Sequence, residues 1–260
     1  MTPPLFEGGS PEEAEGAELL QRYFARIDAA NARCDAFALR SGSVLDGDDR
    51  ATAYDPISYQ AQFLLMSAFD HLRTFRKTVE DHGMPMVAGY PLVRAALESS
   101  AQVVWLTTGG TRAKRVFRAL HSVWDAASMN DEALRHMIPG RPSILGGLRK
   151  RLDALLAAAK VGQRSLDRTH PSMTDVVIEA GRHVQSRRFR PIDVWRLCSS
   201  MSHGNRTVAL TLLERREDGP RTEIGGTYLM TSSYRVMAAF IGVVSDLIDA
   251  ALDARDRLNA

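Results

Sequence analysis

Cysteine is nearly absent. Only Cys34 and Cys198 occur in 260 residues. Two distant cysteines build neither a disulfide framework nor a cysteine-rich zinc site, and they suit a reducing compartment. A cytoplasmic location is the expectation. Long apolar runs are also lacking. The stretch "VMAAFIGVV" (Val236 to Val244) is among the longest, well short of the roughly 18 residues that cross a bilayer. No membrane partner is expected. The opening "MTPPLFEGGSPEEAEG" lacks the basic start and apolar centre of a signal peptide.

An excess of one charge is missing too. Lys and Arg number 33, Asp and Glu 31, and the formal net charge is +2. No overall field draws in nucleic acid, so any basic patch must be local. Arginine supplies almost all the positive charge; lysine occurs only at positions 77, 114, 150 and 160. Several catalytic signatures are absent as well. No G-x-S-x-G elbow occurs. "TTGGTRAK" (Thr107 to Lys114) lacks the second glycine and the Lys-Ser/Thr ending of a phosphate loop. Glu-x-x-His, which a di-metal carboxylate bundle needs, is missing. Glu132/His136 and Glu179/His183 are four apart, a common helix-surface pairing, and Asp167-x-x-His170 occurs once, before Pro171. Neither a metal nor another cofactor is expected.

What the chain does have is helical periodicity. Residues 1–10 read as a leader. "SPEEAEG" then starts a helix, with Ser10 as cap, Pro11 in the first position and Glu12 and Glu13 at the positive dipole end. "RSGSVLDGDDRATAYDP" reads as a polar linker. Helices are predicted over about 58–82, 88–107, 111–129 and 147–161. Further ones follow near 173–184, in "IDVWRLCSSMSHG" ending at Gly204, and over 231–258. "NDEALRHMIPGRPSILGG" reads as a broken connection. Asp218-Gly219-Pro220 between two β-capable runs predicts a small hairpin near 208–229. The fold class is all-α, a multi-helix bundle. Residues 11–50 form an N-terminal helix and linker, and residues 51–260 form the bundle domain. The apolar stripes are wide enough to suggest a homodimer.

Two groups of residues carry candidate chemistry. "WRLCSSMSHGNR" (Trp195 to Arg206) holds Arg196 and His203 with six residues between them. Seven positions make about two helical turns, so both side chains project from nearly one face. A titratable histidine can move a proton at a ribose hydroxyl, and an arginine can stabilise the phosphorane-like transition state. The bland alternative is a capping histidine beside a solvated arginine. Cys198 lies five residues before His203, about 140° around a helix, and reads as core. Just upstream, "SRRFRP" with Arg182 makes the densest positive segment. Its Arg187, Arg188 and Arg190 could hold phosphates, or form a solvated helix end. The second group is Arg94 and Glu98, an i,i+4 pair inside a strongly apolar helix. It is either an intrahelical bridge or a polar cluster that meets Arg196 or His203.

The combination of "LVRAALESSAQVVWL" with "WRLCSSMSHGN" resembles a group of bacterial all-helical proteins of unknown function. In that group an Arg-x-x-x-Glu helix precedes a Ser-x-x-x-His-Gly helix end. Arg94/Glu98 and Ser199/His203 are the matching residues. The group in turn resembles HEPN domains, marked by an Arg, four to six further residues and then a His; Arg196 and His203, with six between them, fit at the long limit. The resemblance covers about residues 58–258. It implies a HEPN-like bundle, often a homodimer, that cleaves RNA without a metal in toxin or anti-phage settings, with Arg196 and His203 as the catalytic pair. Other HEPN proteins are inactive modules, which leaves binding of a protein partner or small ligand as the alternative. Active motifs usually carry a polar residue directly after the arginine. Here Leu197 stands there, and Ser202 or Asn205 would have to take its part.

Overall fold

A computed structural model describes residues 10–162, 164–184, 189–217 and 228–260. Among them are ten helices and one two-stranded antiparallel sheet, so the all-α expectation holds. No helix among the described residues is long and apolar enough to cross a membrane.

α1 (Pro11–Asp35) begins as its sequence requires, with Pro11 in the first turn and Glu12 and Glu13 beside it. α2 (Val44–Ala51) lies where the sequence suggests only a linker. It forms because it caps its neighbour. α3 (Ile57–His82) starts after Pro56, which has no side chain to cap it. Asp49 of α2 does so instead, accepting from the Ser58 backbone N–H at 2.9 Å and the Ser58 hydroxyl at 2.6 Å. Thr52 Oγ1 accepts from the Ile57 N–H. Orphan donors at the start of α3 are thus satisfied from another helix. Gly83, at φ 78°, then ends α3.

α4 (Gly89–Thr107) is apolar on most sides, and its Val93, Leu97, Val103 and Val104 are fully buried. Such a helix belongs at a core centre. It packs against α3, α7 (Met173–Gly181), α8 (Pro191–Ser202) and α10 (Tyr234–Asn259). α1 runs along α10, and its Leu20, Phe24 and Ile27 join the same core. Each such side chain contributes about 1.5–3 kcal/mol when fully buried. α7 is capped by a reciprocal box between Ser172 and Asp175.

α5 (Arg112–Met137) runs through "NDEALRHM", eight residues beyond the predicted end at 129. α6 (Leu145–Ala158) packs on it around a smaller core of Val116, Leu120, Leu148 and Leu152. Asp131 explains the longer α5. Its buried carboxylate takes the Ser143 hydroxyl at 2.9 Å and the Ile144 N–H, tying the connection back to the helix.

The hairpin exists, but it starts later than expected. Residues 206–212 are α9 (Arg206–Leu212). β1 (Leu213–Glu217) then pairs with β2 (Tyr228–Ser232), Leu213 opposite Ser232 and Glu217 opposite Tyr228. The predicted Asp218-Gly219-Pro220 turn lies outside the described residues.

Candidate functional site

α8 carries the Arg196/His203 pair. Pro191 sits in its first turn, and Ile192, Val194, Cys198 and Met201 face the core. Cys198 is fully buried and burial pushes its thiol far above its ordinary range. It is a core residue and no nucleophile. Arg196 and His203 lie on the other side, both exposed.

The end of α8 is a tight corner. The His203 N–H donates to the Ser199 carbonyl at 3.1 Å, and the Gly204 N–H donates to the Met201 carbonyl at 3.1 Å. Gly204 adopts φ 70°, a left-handed conformation costly for residues with a Cβ. Asn205 then caps α9, its side-chain oxygen accepting from the Val208 N–H at 3.2 Å. Ser199 therefore acts through its carbonyl, and Asn205 is committed to a helix cap. Arg196 lies within α8 and His203 is its C-cap, seven residues on, which on ideal helix spacing is about 10.5 Å along the axis. Neither side chain has a hydrogen bond or ion pair within the described residues.

The flanking cations divide. Arg190 holds Asp193 with two hydrogen bonds, of 2.7 and 2.8 Å, so its charge is committed locally. That pair holds the Asp193 carboxyl below the usual range, with Arg196 adding to the effect. Arg182 is exposed at the end of α7. Arg187 and Arg188 lie outside the described residues.

Arg94 and Glu98 form the expected bridge, Nε to Oε1 at 2.8 Å. The same Glu98 oxygen accepts from Trp195 Nε1 at 2.6 Å, and the Arg94 guanidinium lies 5.4 Å from the Trp195 ring centre. The trio joins α4 to α8. It reaches Trp195, the residue before Arg196, rather than Arg196 or His203. Its effect on the pair runs through the seating of α8.

Beside the corner is a cleft of about 630 Å3, lined by Gly204, Asn205 and a patch of methionines, Met86, Met201 and Met230. Arg206 and Arg215 also line it, and both are exposed. Sequence reasoning missed Arg206, Arg215, Met86 and Met230. They come from three separate segments that only the folded chain brings to one place, Met86 being tied to the hairpin by the Ser232 hydroxyl, which donates to its carbonyl at 2.8 Å.

Among the described residues, no group of three or more His, Cys, Asp or Glu side chains is placed to hold a metal ion. No protein-family model, curated protein or solved structure matches this chain.

Proposed function

We propose that the corner at the end of α8 binds RNA and cleaves it without a metal, in the manner of HEPN-like ribonucleases. One observation carries the reading: Arg196 on α8 and His203 at its C-cap are both exposed and make no hydrogen bond or ion pair among the described residues, while neighbouring Arg190 is neutralised. A side chain about two turns from another can close on a phosphate lying between them. His203 takes the proton of a ribose 2′-hydroxyl, whose oxygen attacks phosphorus. Arg196 balances the charge that gathers on the phosphate oxygens. The 5′-oxygen leaves and takes a proton, supplied from the His203 imidazolium through water, which returns His203 to its neutral form. Arg206 and Arg182 supply backbone contacts. A homodimer belongs to the same reading, since two corners brought together would supply two histidines. The experiment is purified protein on mixed RNA in EDTA, compared with His203→Ala. Cleavage that disappears in the variant supports the reading, and cleavage that persists removes it.

The methionine-lined cleft favours a second reading, binding without chemistry. Methionine surfaces adapt to varied apolar partners. Arginines beside them suit an acidic, amphipathic protein segment, and Leu197 in place of a polar residue fits an inactive module. Isothermal titration with such a peptide, wild type against Met230→Glu, separates the two readings.

A further inference from the structure

A different part of the fold holds a second arrangement with chemistry of its own. Ser122 and Asp125 lie one turn apart on α5, and His170 lies in the segment before α7. Ser122 Oγ is 3.2 Å from His170 Nε2. His170 Nδ1 is 3.0 Å from the Pro171 carbonyl oxygen and 4.0 Å from Asp125 Oδ2. We propose that Ser122, His170 and Asp125 form a serine-hydrolase site for neutral esters with short apolar acyl groups, taken into the pocket that Ser122 lines.

The hydrogen bonds select the tautomer that the chemistry needs. A carbonyl oxygen only accepts, so His170 carries its proton on Nδ1. Nε2 is then a free lone pair, and the Ser122 hydroxyl donates to it. A serine hydroxyl held on the basic nitrogen of a neutral imidazole is an activated nucleophile. Asp125 does not touch the reacting atoms. It is a positioning residue whose charge stabilises the imidazolium formed during the reaction. The ring is held from two sides, edge-on to Trp105 at 5.6 Å between ring centres and against His121 at 5.1 Å. His121 Nε2 is not available as that base. It lies 2.9 Å from the Arg168 carbonyl and must donate there.

Ser122 opens onto a pocket of about 420 Å3, within the roughly 300–1,000 Å3 of small-molecule sites. Trp105, Leu106 and Val123 make it apolar, and Phe63, 71% exposed, stands at its edge. Exposed aromatics at a pocket mouth suit an acyl chain. Gln60 and Gln102 also line it. Each side-chain amide donates one hydrogen bond to a carbonyl, of Asp55 and Glu98 respectively. An amide has a second hydrogen, and these are the available donors for an oxyanion. Asp55 lines the same pocket and would repel a carboxylate, which directs the site to neutral esters.

The reaction balances without any further reagent. Ser122 Oγ forms a bond to the ester carbonyl carbon while its proton passes to His170 Nε2. The carbon–oxygen bond to the alcohol breaks, and the alkoxide takes that proton. Water then attacks the acyl-serine, giving its proton to His170. Collapse releases the carboxylic acid and returns the proton to Ser122.

The full chain is tested with a biotinylated fluorophosphonate, the adduct being mapped by peptide mass spectrometry, and with p-nitrophenyl esters from acetate to octanoate. The expected result is an adduct on Ser122 that is absent from His170→Gln, with turnover falling about 100-fold or more in Ser122→Ala. Asp125→Asn should lower kcat with little change in KM. Ser122→Ala removes one oxygen and should unfold at the wild-type temperature, so lost turnover is not lost folding. No adduct on Ser122, no turnover above buffer with any ester, or turnover that Ser122→Ala retains overturns the proposal. The RNA-cleavage reading uses none of these residues and stands or falls separately.

Discussion

Arg115 Nε lies 2.6 Å from Asp48 Oδ2, and both side chains are buried. The pair fastens α2 to α5. Burial pushes the Asp48 carboxyl upward, while Arg115 and Arg112 oppose the shift. Removing Arg115 would leave a buried carboxylate without its main partner. Arg115→Met is expected to cost about 3–5 kcal/mol in urea unfolding. The double variant with Asp48→Asn should recover much of that loss, because it removes the stranded charge.

Gly16 and Gly47 should respond in opposite ways to the same substitution. A Cβ at Gly16 would collide with the backbone of Tyr234 and Arg235, where α1 meets α10. Backbone cannot swing aside, so Gly16→Ala should destabilise by about 1–3 kcal/mol. Gly47, inside α2, has open space around its missing Cβ. Gly47→Ala should stabilise by about 0.4–1 kcal/mol through the unfolded state. Thermal denaturation of both variants checks the contrast.

His121 makes stability depend on pH. Burial lowers its pKa below the ordinary 6.5, and its hydrogen bond to Arg168 opposes that only in part. The unfolded chain therefore binds a proton that the folded chain refuses. Stability from this residue is complete above about pH 6.5 and declines as pH falls toward the depressed folded value. The melting temperature of the wild type should drop on acidification through that window more steeply than that of His121→Gln.

Most of the helices are legible in the sequence because periodicity, caps and glycine stops agree. Pro11, Gly83, the Ser172/Asp175 box and Gly204 all act where their chemistry suggests. α2 is not legible, because Asp48 and Asp49 read as solvated acids. Their buried partners, Arg115 and Ser58, are chosen only by the fold. The run to Met137 is hidden for the same reason, since Asp131 is a buried anchor for Ser143. The α8 pair can be read from its spacing, whereas the commitment of Arg190 to Asp193 needs the side chains in place. Ser122 and His170 stand 48 residues apart and share no motif, so no local signal could join them.

The cations around α8 should not contribute equally to RNA binding. Arg196→Ala should weaken binding and reduce the salt slope by about one phosphate contact. Arg190→Ala should leave that slope unchanged, because its guanidinium is already paired with Asp193. Fluorescence anisotropy with a labelled single-stranded RNA at several salt concentrations checks both.

The most direct test of the proposed RNA cleavage is the chemistry of the ends it would leave. Attack by a ribose 2′-hydroxyl on its own phosphate yields a 2′,3′-cyclic phosphate and a 5′-hydroxyl. Mass spectrometry of oligonucleotides incubated in EDTA should find those ends with the wild type, and not with Arg196→Ala or His203→Ala. Intact RNA, other end groups, or the same cyclic phosphates from the His203→Ala protein would contradict it.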